Sequence, residues 1–265
     1  VASQPTNPKW DQSVNRNDAL YNRQEDLRSE YERDYNRILH CRAYRRLKHK
    51  TQVFFATAND HICTRIEHVT HVAAVSNTIA NTLGLNTELT KAIAIGHDLG
   101  HTPFGHEGEK IIKNIAESEI ENYNFWHERN SLRVVDKLET LPDPNGKEKN
   151  LSLTYAVRDG LISHCGETKT ATLSPREESF ELYTIERPNQ HAPFTWEACV
   201  VKIADTISYL GRDIEDAITL KIISREDLLQ HTHELLKNLS GKNININNIK
   251  EINTTVIMKN SIYNL

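Results

Sequence analysis

The stretch Asn86-Thr87-Glu88-Leu89-Thr90-Lys91-Ala92-Ile93-Ala94-Ile95-Gly96-His97-Asp98-Leu99-Gly100-His101 carries both the helical pattern and the first chemical signal of the chain. Leu89, Ala92, Ile93 and Ile95 fall on the inward side of a helix that opens near Asn86 and reaches Asp98, just before Gly100. At its end an imidazole and a carboxylate stand side by side, where both can turn toward one ion. His68, twenty-nine residues earlier, and Asp205, far downstream, complete a set of two imidazoles and two carboxylates. Such a set balances the charge of a divalent cation and leaves coordination positions for water and a substrate oxygen, as hydrolysis requires.

The flanking segments read the same way. Ile66, Val69, Val72, Ala73, Ile79, Ala80 and Leu83 predict the buried stripe of a helix from about Thr64 to Leu83, which Gly84 ends. Between Glu197 and Leu220, Ile203, Ile207, Leu210, Ile214, Ala217 and Ile218 share one side of another helix. Asp205, Tyr209 and Asp213, spaced i, i+4 and i+8, form a separate stripe that can line a cleft. Taken alone, those acids fit an ordinary amphipathic helix with a solvated face better. Pro142, Pro144 and Gly146 mark residues 138–150 as a surface loop or small hairpin, and Pro175, Pro188 and Pro193 mark residues 166–195 as irregular. The Asn-rich piece Asn243 to Asn248 reads as a short loop, and no internal repeat is visible. The expectation is an all-α fold: one helical domain over residues 1–265, with its core at about 28–135 and 197–220 and an irregular segment at about 138–195.

Composition narrows the function classes. A chain of 265 residues can bury a sizeable core, and none of its segments approaches the ~18 apolar residues of a membrane span or shows a signal peptide. The four cysteines are scattered without a Cys-x-x-Cys pair, which argues against a thiolate metal site or a disulfide framework and for a reducing, cytoplasmic setting. A net charge of -4 argues against a dedicated nucleic-acid binder, and the basic run Arg42 to Lys50 suits a small polyanion. The chain begins at Val1 rather than Met, which suggests a piece of a longer protein.

Seven of the thirteen histidines lie between His61 and His127, a density that a solvated surface does not explain. His97, His101 and His106 alternate with Gly100, Gly105 and Gly108, which would let backbone approach a ligand closely. His71 and the remaining histidines, His164 among them, are read as structural.

Four further blocks surround these residues: Arg33-Asp34-Tyr35-Asn36-Arg37-Ile38, then Arg42 through Phe54, then Thr64-Arg65-Ile66-Glu67-His68, and Phe125-Trp126-His127-Glu128-Arg129-Asn130. With Gly96 through Glu109 and Lys202-Ile203-Ala204-Asp205, their order and spacing closely resemble the HD-domain deoxynucleoside triphosphate triphosphohydrolases, the family of bacterial deoxyguanosine triphosphate triphosphohydrolase. The resemblance is dense over residues 28 to 135 and thinner over 197 to 218. It implies a helical HD fold that cleaves a dNTP, dGTP being one, into deoxynucleoside and inorganic triphosphate. Carried over by position, it implies metal ligands at His68, His97, Asp98 and Asp205. Catalytic positions fall on His106, Glu109, His127 and Glu128. Substrate-holding positions fall on Gln52, Val53, Arg65, His101, Tyr209 and Asp213, of which Gln52 and Asp213 would hold the 3'-hydroxyl while Val53 and Tyr209 crowd the 2' position.

The chemistry of these types is intelligible. Two imidazole ligands favour Mn2+, Fe2+, Co2+ or Ni2+ over Mg2+, which suits the triphosphate tail. A guanidinium such as that of Arg65 offers a fork of donors to a phosphate. The leaving 5'-oxygen needs a proton, and His106 and His127 both qualify. The resemblance further implies a homo-oligomer, hexamer or tetramer, and a dNTP as effector as well as substrate. Two other readings stay open: an HD phosphohydrolase acting on nucleoside monophosphates or guanosine polyphosphates, and a non-catalytic nucleotide-sensing module.

Overall fold

A computed structural model describes residues 1–21, 26–54, 59–120, 124–165, 172–224 and 226–228. The helices are α1 (Trp10–Val14), α2 (Glu30–His40), α3 (Arg42–Arg46), α4 (Arg65–Thr82), α5 (Thr87–Gly96), α6 (Gly105–Glu119), α7 (His127–Arg133), α8 (Tyr155–Ser163) and α9 (Trp196–Thr219). A two-stranded antiparallel hairpin, β1 (Thr140–Pro142) and β2 (Glu148–Asn150), pairs Thr140 with Asn150 and Pro142 with Glu148. It occupies the place where prolines and Gly146 predict a small hairpin. The fold is therefore mostly α. The Asn-rich stretch 243–248 and residues 166–171 lie outside the described residues.

Local chemistry sets the helix ends. The Glu67 carboxylate accepts the Thr64 N–H at 2.8 Å and its hydroxyl at 2.7 Å, which opens α4 with a capping box. Gly84, at φ +67°, turns the chain after α4 as Leu85 donates its N–H to the Ala80 carbonyl at 2.8 Å. Two residues later the Asn86 side chain accepts the Glu88 and Leu89 N–H groups and starts α5. From Leu89 to Gly96 α5 is buried except at Lys91, because it runs through the core with α2, α4, α8 and α9 packed around it.

Three sequence expectations are corrected by packing. The buried face of α9 is the small-residue stripe Ala198, Val201, Ala204 and Ser208, whereas Ile203, Ile207, Ile214 and Ile218 are only partly covered. Small side chains let α9 approach α4 and α5 closely, and that approach decides which face turns inward. Leu83, read as part of the buried stripe of α4, is 63% exposed, since α4 ends at Thr82 just before the turn. The interval 138–195, read as irregular, contains α8, every residue of which is buried. Its uniform burial erases the apolar periodicity from which a helix is read.

Candidate active site

The chain leaves α5 at Gly96 and enters a tight loop that holds His97 and Asp98. Ser131 of α7 donates its hydroxyl to the His97 carbonyl at 2.7 Å and accepts the Gly100 N–H at 2.9 Å, while the Asn130 amide donates to the Gly100 carbonyl at 2.7 Å. A Cβ on Gly100 would lie 2.1 Å from the Ser131 nitrogen, and one on Gly108 would lie 1.8 Å from the Pro103 carbonyl oxygen. These two glycines thus admit the protein's own backbone rather than a ligand's, a correction to the sequence reading. Phe104 and Gly105 both adopt left-handed backbone, φ +63° and +61°, in the turn that separates buried His101 from exposed His106.

His97 shows how the loop prepares a donor. Its Nδ1 lies 2.7 Å from the Ala94 carbonyl; a carbonyl only accepts, so Nδ1 carries the proton and Nε2 the lone pair. That Nε2 is buried, has no hydrogen-bond partner, and lies 3.8 Å from Asp98 Oδ1 and 3.6 Å from Asp205 Oδ1. His68 on α4 brings Nε2 to 2.9 Å from the same Asp205 oxygen. Burial opposes ionisation of Asp98, yet Arg65 and then His97 and His101 hold its carboxyl well below the usual range. Burial works likewise against Asp205, but the hydrogen bond from His68 brings it down to about 2. Two ionised carboxylates and two imidazoles, one with an orphaned buried lone pair, fit a divalent cation. The ligand atoms of His68, His97 and Asp98 lie within 4.8 Å of one another.

A second cluster lies beside the first. His127 opens α7; its Nδ1 is 3.0 Å from Glu109 Oε2 and its Nε2 is 3.4 Å from Glu128 Oε1. Burial alone would lower the imidazole, but Glu128 and Glu109 more than reverse it and raise it to about 9, so it carries a proton at neutral pH. Burial acts against Glu109 as well, and His106 and His127 overcome it, holding the carboxyl far below its ordinary value. The same Glu109 oxygen is 3.7 Å from His106 Nδ1. One carboxylate therefore serves a half-buried imidazole on one side and an exposed one on the other. His101 is pushed down to about 3, burial leading, and stays neutral.

Both clusters open into a cavity of about 350 Å³. Gln52, Val53, Arg65, His68, Asp98, His101, His106, His127, Glu128, Asp205, Tyr209 and Asp213 line it. Of the residues singled out in the sequence, His97 lies just behind the wall and Glu109 behind His127 and His106. Arg65 NH1 donates to Asp98 Oδ2 at 2.5 Å, so the guanidinium expected to meet phosphate also steadies a carboxylate of the first cluster. Gln52 Oε1, Arg65 Nε, His68 Nδ1 and Asp213 Oδ1 are buried without a hydrogen-bond partner, like His97 Nε2. Burial raises Asp213 to about 6. Lys50, from the basic run, donates to the His101 carbonyl, and burial lowers it to about 8.

Two lining residues escaped the sequence reading, His164 and Cys165. The sequence reads His164 as structural because a single histidine on a helix is more often structural than functional. The available signal was local: Leu161-Ile162-Ser163-His164 ends α8 much as Ala94-Ile95-Gly96-His97 ends α5. The Cys165 thiol is buried and pushed up to about 11, which leaves it unreactive.

The family model of the HD domain matches residues 65–210. A deoxyguanosinetriphosphate triphosphohydrolase-like protein of Caldanaerobacter subterraneus subsp. tengcongensis is 39% identical over 219 residues, covering 83% of this chain and 55% of its own. Proteins of the same description from Desulfatibacillum aliphaticivorans and Clostridium tetani are 40% and 36% identical, covering 79% and 83% of this chain and 53% and 54% of theirs. The chain thus spans about half the length of the curated relatives it matches. Among the described residues no helix is long and apolar enough to cross a membrane. With its histidine and aspartate clusters suited to a divalent cation and its relatives of one description, the chain belongs to the HD-domain family, among the deoxyguanosinetriphosphate triphosphohydrolase-like proteins.

Proposed function

We propose that this cavity hydrolyses a deoxynucleoside triphosphate, dGTP among the substrates, to deoxynucleoside and inorganic triphosphate. The observation that carries the reading is the shared cavity: the carboxylate-imidazole cluster, the Glu109-linked histidines and the residues expected to read the sugar all converge there. His68, His97, Asp98 and Asp205 would hold the cation, with Mn2+, Fe2+, Co2+ or Ni2+ expected for the two imidazoles and Mg2+ for the triphosphate tail. When bound, a cation there neutralises phosphate charge and acidifies water.

The chain's own groups do the rest. Arg65 is 3% exposed and has an unpartnered Nε, so it can donate to an α-phosphate oxygen while NH1 stays on Asp98. His106 lines the cavity with its Nδ1 toward Glu109, and its other nitrogen would protonate the leaving 5'-oxygen. His127 keeps Glu109 ionised and in place. Gln52 and Asp213, each with a buried unpartnered oxygen, suit the 3'-hydroxyl. Val53 and Tyr209 would crowd the 2' position, and an unpaired buried 2'-hydroxyl costs about 1–3 kcal/mol.

The active form is inferred to be a homo-oligomer, hexamer or tetramer, with a dNTP also as effector. The family resemblance supports this, as do Ile111 and Ile115, 58% and 57% exposed one turn apart on α6. Light scattering that finds only monomer with activity intact would remove it. A cytoplasmic setting accords with four buried free cysteines, and a nucleic-acid partner is not expected at a net charge of -4.

Incubation of the intact protein with Mn2+ and each dNTP, with GTP as control, tests the reaction. Deoxynucleoside plus triphosphate is expected, far faster from dNTPs than from GTP. Deoxynucleoside monophosphate as the main product would point to a pyrophosphohydrolase instead.

A further inference from the structure

His164 occupies a position in the cavity that neither the sequence motifs nor the relatives assign. It follows α8, is 3% exposed, and sets its Nδ1 3.0 Å from the Leu161 carbonyl three residues back. His97 makes the same bond to Ala94, three residues back from it. By the same reasoning His164 Nδ1 carries the proton and Nε2 offers a lone pair. The His164 ring stacks edge-on against His97 with centroids 4.9 Å apart and lies 6.3 Å from the His127 ring. It belongs to two sets of donor atoms that each fall within 4.8 Å: one with His97 and Asp205, the other with His127 and Glu128. Asp98 bridges the same two clusters through a set with His101 and His127, and His164 is the imidazole that shares a set with two of the cation-cluster residues and another with His127.

A purely structural histidine would turn its second nitrogen into the core. This one lines the cavity between His97 of the cation cluster and His127 of the second cluster. We propose that His164 is a catalytic residue whose Nε2 accepts a hydrogen bond from the attacking water and aims its oxygen at phosphorus. The proposal rests on the hydrolytic reading above. In the step, the water oxygen bonds to the α-phosphorus and the bond from phosphorus to the 5'-oxygen breaks, its electron pair staying on that oxygen. The 5'-oxygen takes the proton of His106. One water proton remains on the new triphosphate oxygen; the other passes to solvent, from which exposed His106 is recharged. His164 changes no bond of its own. It fixes the direction of attack, and so acts on turnover rather than on substrate affinity.

The test compares wild type with His164→Gln, His164→Asn and His164→Gly in the intact protein, measuring Mn2+ content by elemental analysis, thermal midpoint, and kcat and KM for a dNTP. A second assay uses bis(p-nitrophenyl) phosphate, which needs a positioned water but no sugar recognition. The expected result is a fall in kcat of about 100-fold on both substrates, KM within about threefold, one Mn2+ retained, and partial recovery of His164→Gly by added imidazole. Unchanged kcat, loss of Mn2+ from the variants, or failure of all three variants to fold would overturn the proposal, the last two by making His164 a ligand or a scaffold residue. If wild type cleaves only the artificial diester and the variants lose that activity, the dNTP reading fails and the role of His164 stands.

Discussion

Two buried charge clusters in this molecule differ in how completely they are satisfied. At the junction of the N-terminal segment, α2 and α8, fully buried Asp34 accepts Arg16 NH1 at 2.5 Å on one oxygen, and the Thr154 N–H and hydroxyl at 2.8 and 2.6 Å on the other. Arg16 spends its remaining donors on the Glu30 carboxylate and on the Ser152 and Glu30 carbonyls. In the cavity, by contrast, His97 Nε2, His68 Nδ1, Arg65 Nε, Gln52 Oε1 and Asp213 Oδ1 are buried and unpartnered. An orphaned buried polar atom costs about 1–3 kcal/mol, and a fold tolerates several together only where something else meets them. The first cluster ties elements together; the second is arranged for a ligand.

The largest effect expected from this contrast is on the first cluster. Asp34→Ala leaves the Thr154 N–H and hydroxyl and one Arg16 N–H without their acceptor, although Glu30 still pairs with the guanidinium, and should cost about 3–5 kcal/mol in chemical denaturation. The protein that remains folded should still bind cation, since Asp34 touches nothing in the cavity. Loss of cation from the folded fraction would show that the two clusters are coupled.

Next in size, His106→Ala should lower kcat about 100-fold, roughly 2.7 kcal/mol of barrier, with thermal stability unchanged because the side chain is 80% exposed. If His127→Ala abolishes turnover while His106→Ala does not, the proton donor has been assigned to the wrong imidazole.

The sequence shows the satisfied and helical parts of this architecture better than the steric ones. The apolar stripe and Gly84 place α4, and Asn86 places the start of α5, because Gly84 and Asn86 act through bonds to residues within a few positions. His97 and Asp98 stand out in the sequence only through the company of His68, His101 and the other blocks, because a His-Asp pair alone arises by chance in many chains. Gly100 was misread, since the backbone it admits comes from Ser131, thirty-one residues on. The inward face of α9 was misjudged because Ala198, Ala204 and Ser208 permit a close helix approach that hydrophobicity alone ranks below isoleucine. His164 was hidden by the complete burial of α8, which leaves no polar face to mark the side that meets the cavity.

A smaller effect sharpens the contrast from within the cavity. Burial holds the Asp213 carboxyl at about 6, above its ordinary value, so the folded protein keeps a proton that the unfolded chain releases. The stability this lends is full below about pH 4 and is lost as the pH rises through 6. Asp213→Asn should therefore stabilise the protein at pH 8 by about 1 kcal/mol after allowance for solvent screening, or roughly 2–4 °C, and hardly at all at pH 4. The same variant should raise KM for a dNTP. A destabilised variant at pH 8 would mean that Asp213 has a partner holding it ionised.

Cation binding tests the contrast between the clusters most directly. Titration of the intact protein with Mn2+, read by calorimetry and by elemental analysis after gel filtration, should give one tightly held ion per chain in wild type. Asp205→Ala should lose that ion while keeping its thermal midpoint within a few degrees. Full occupancy in Asp205→Ala, or no tight ion in wild type, would contradict the account.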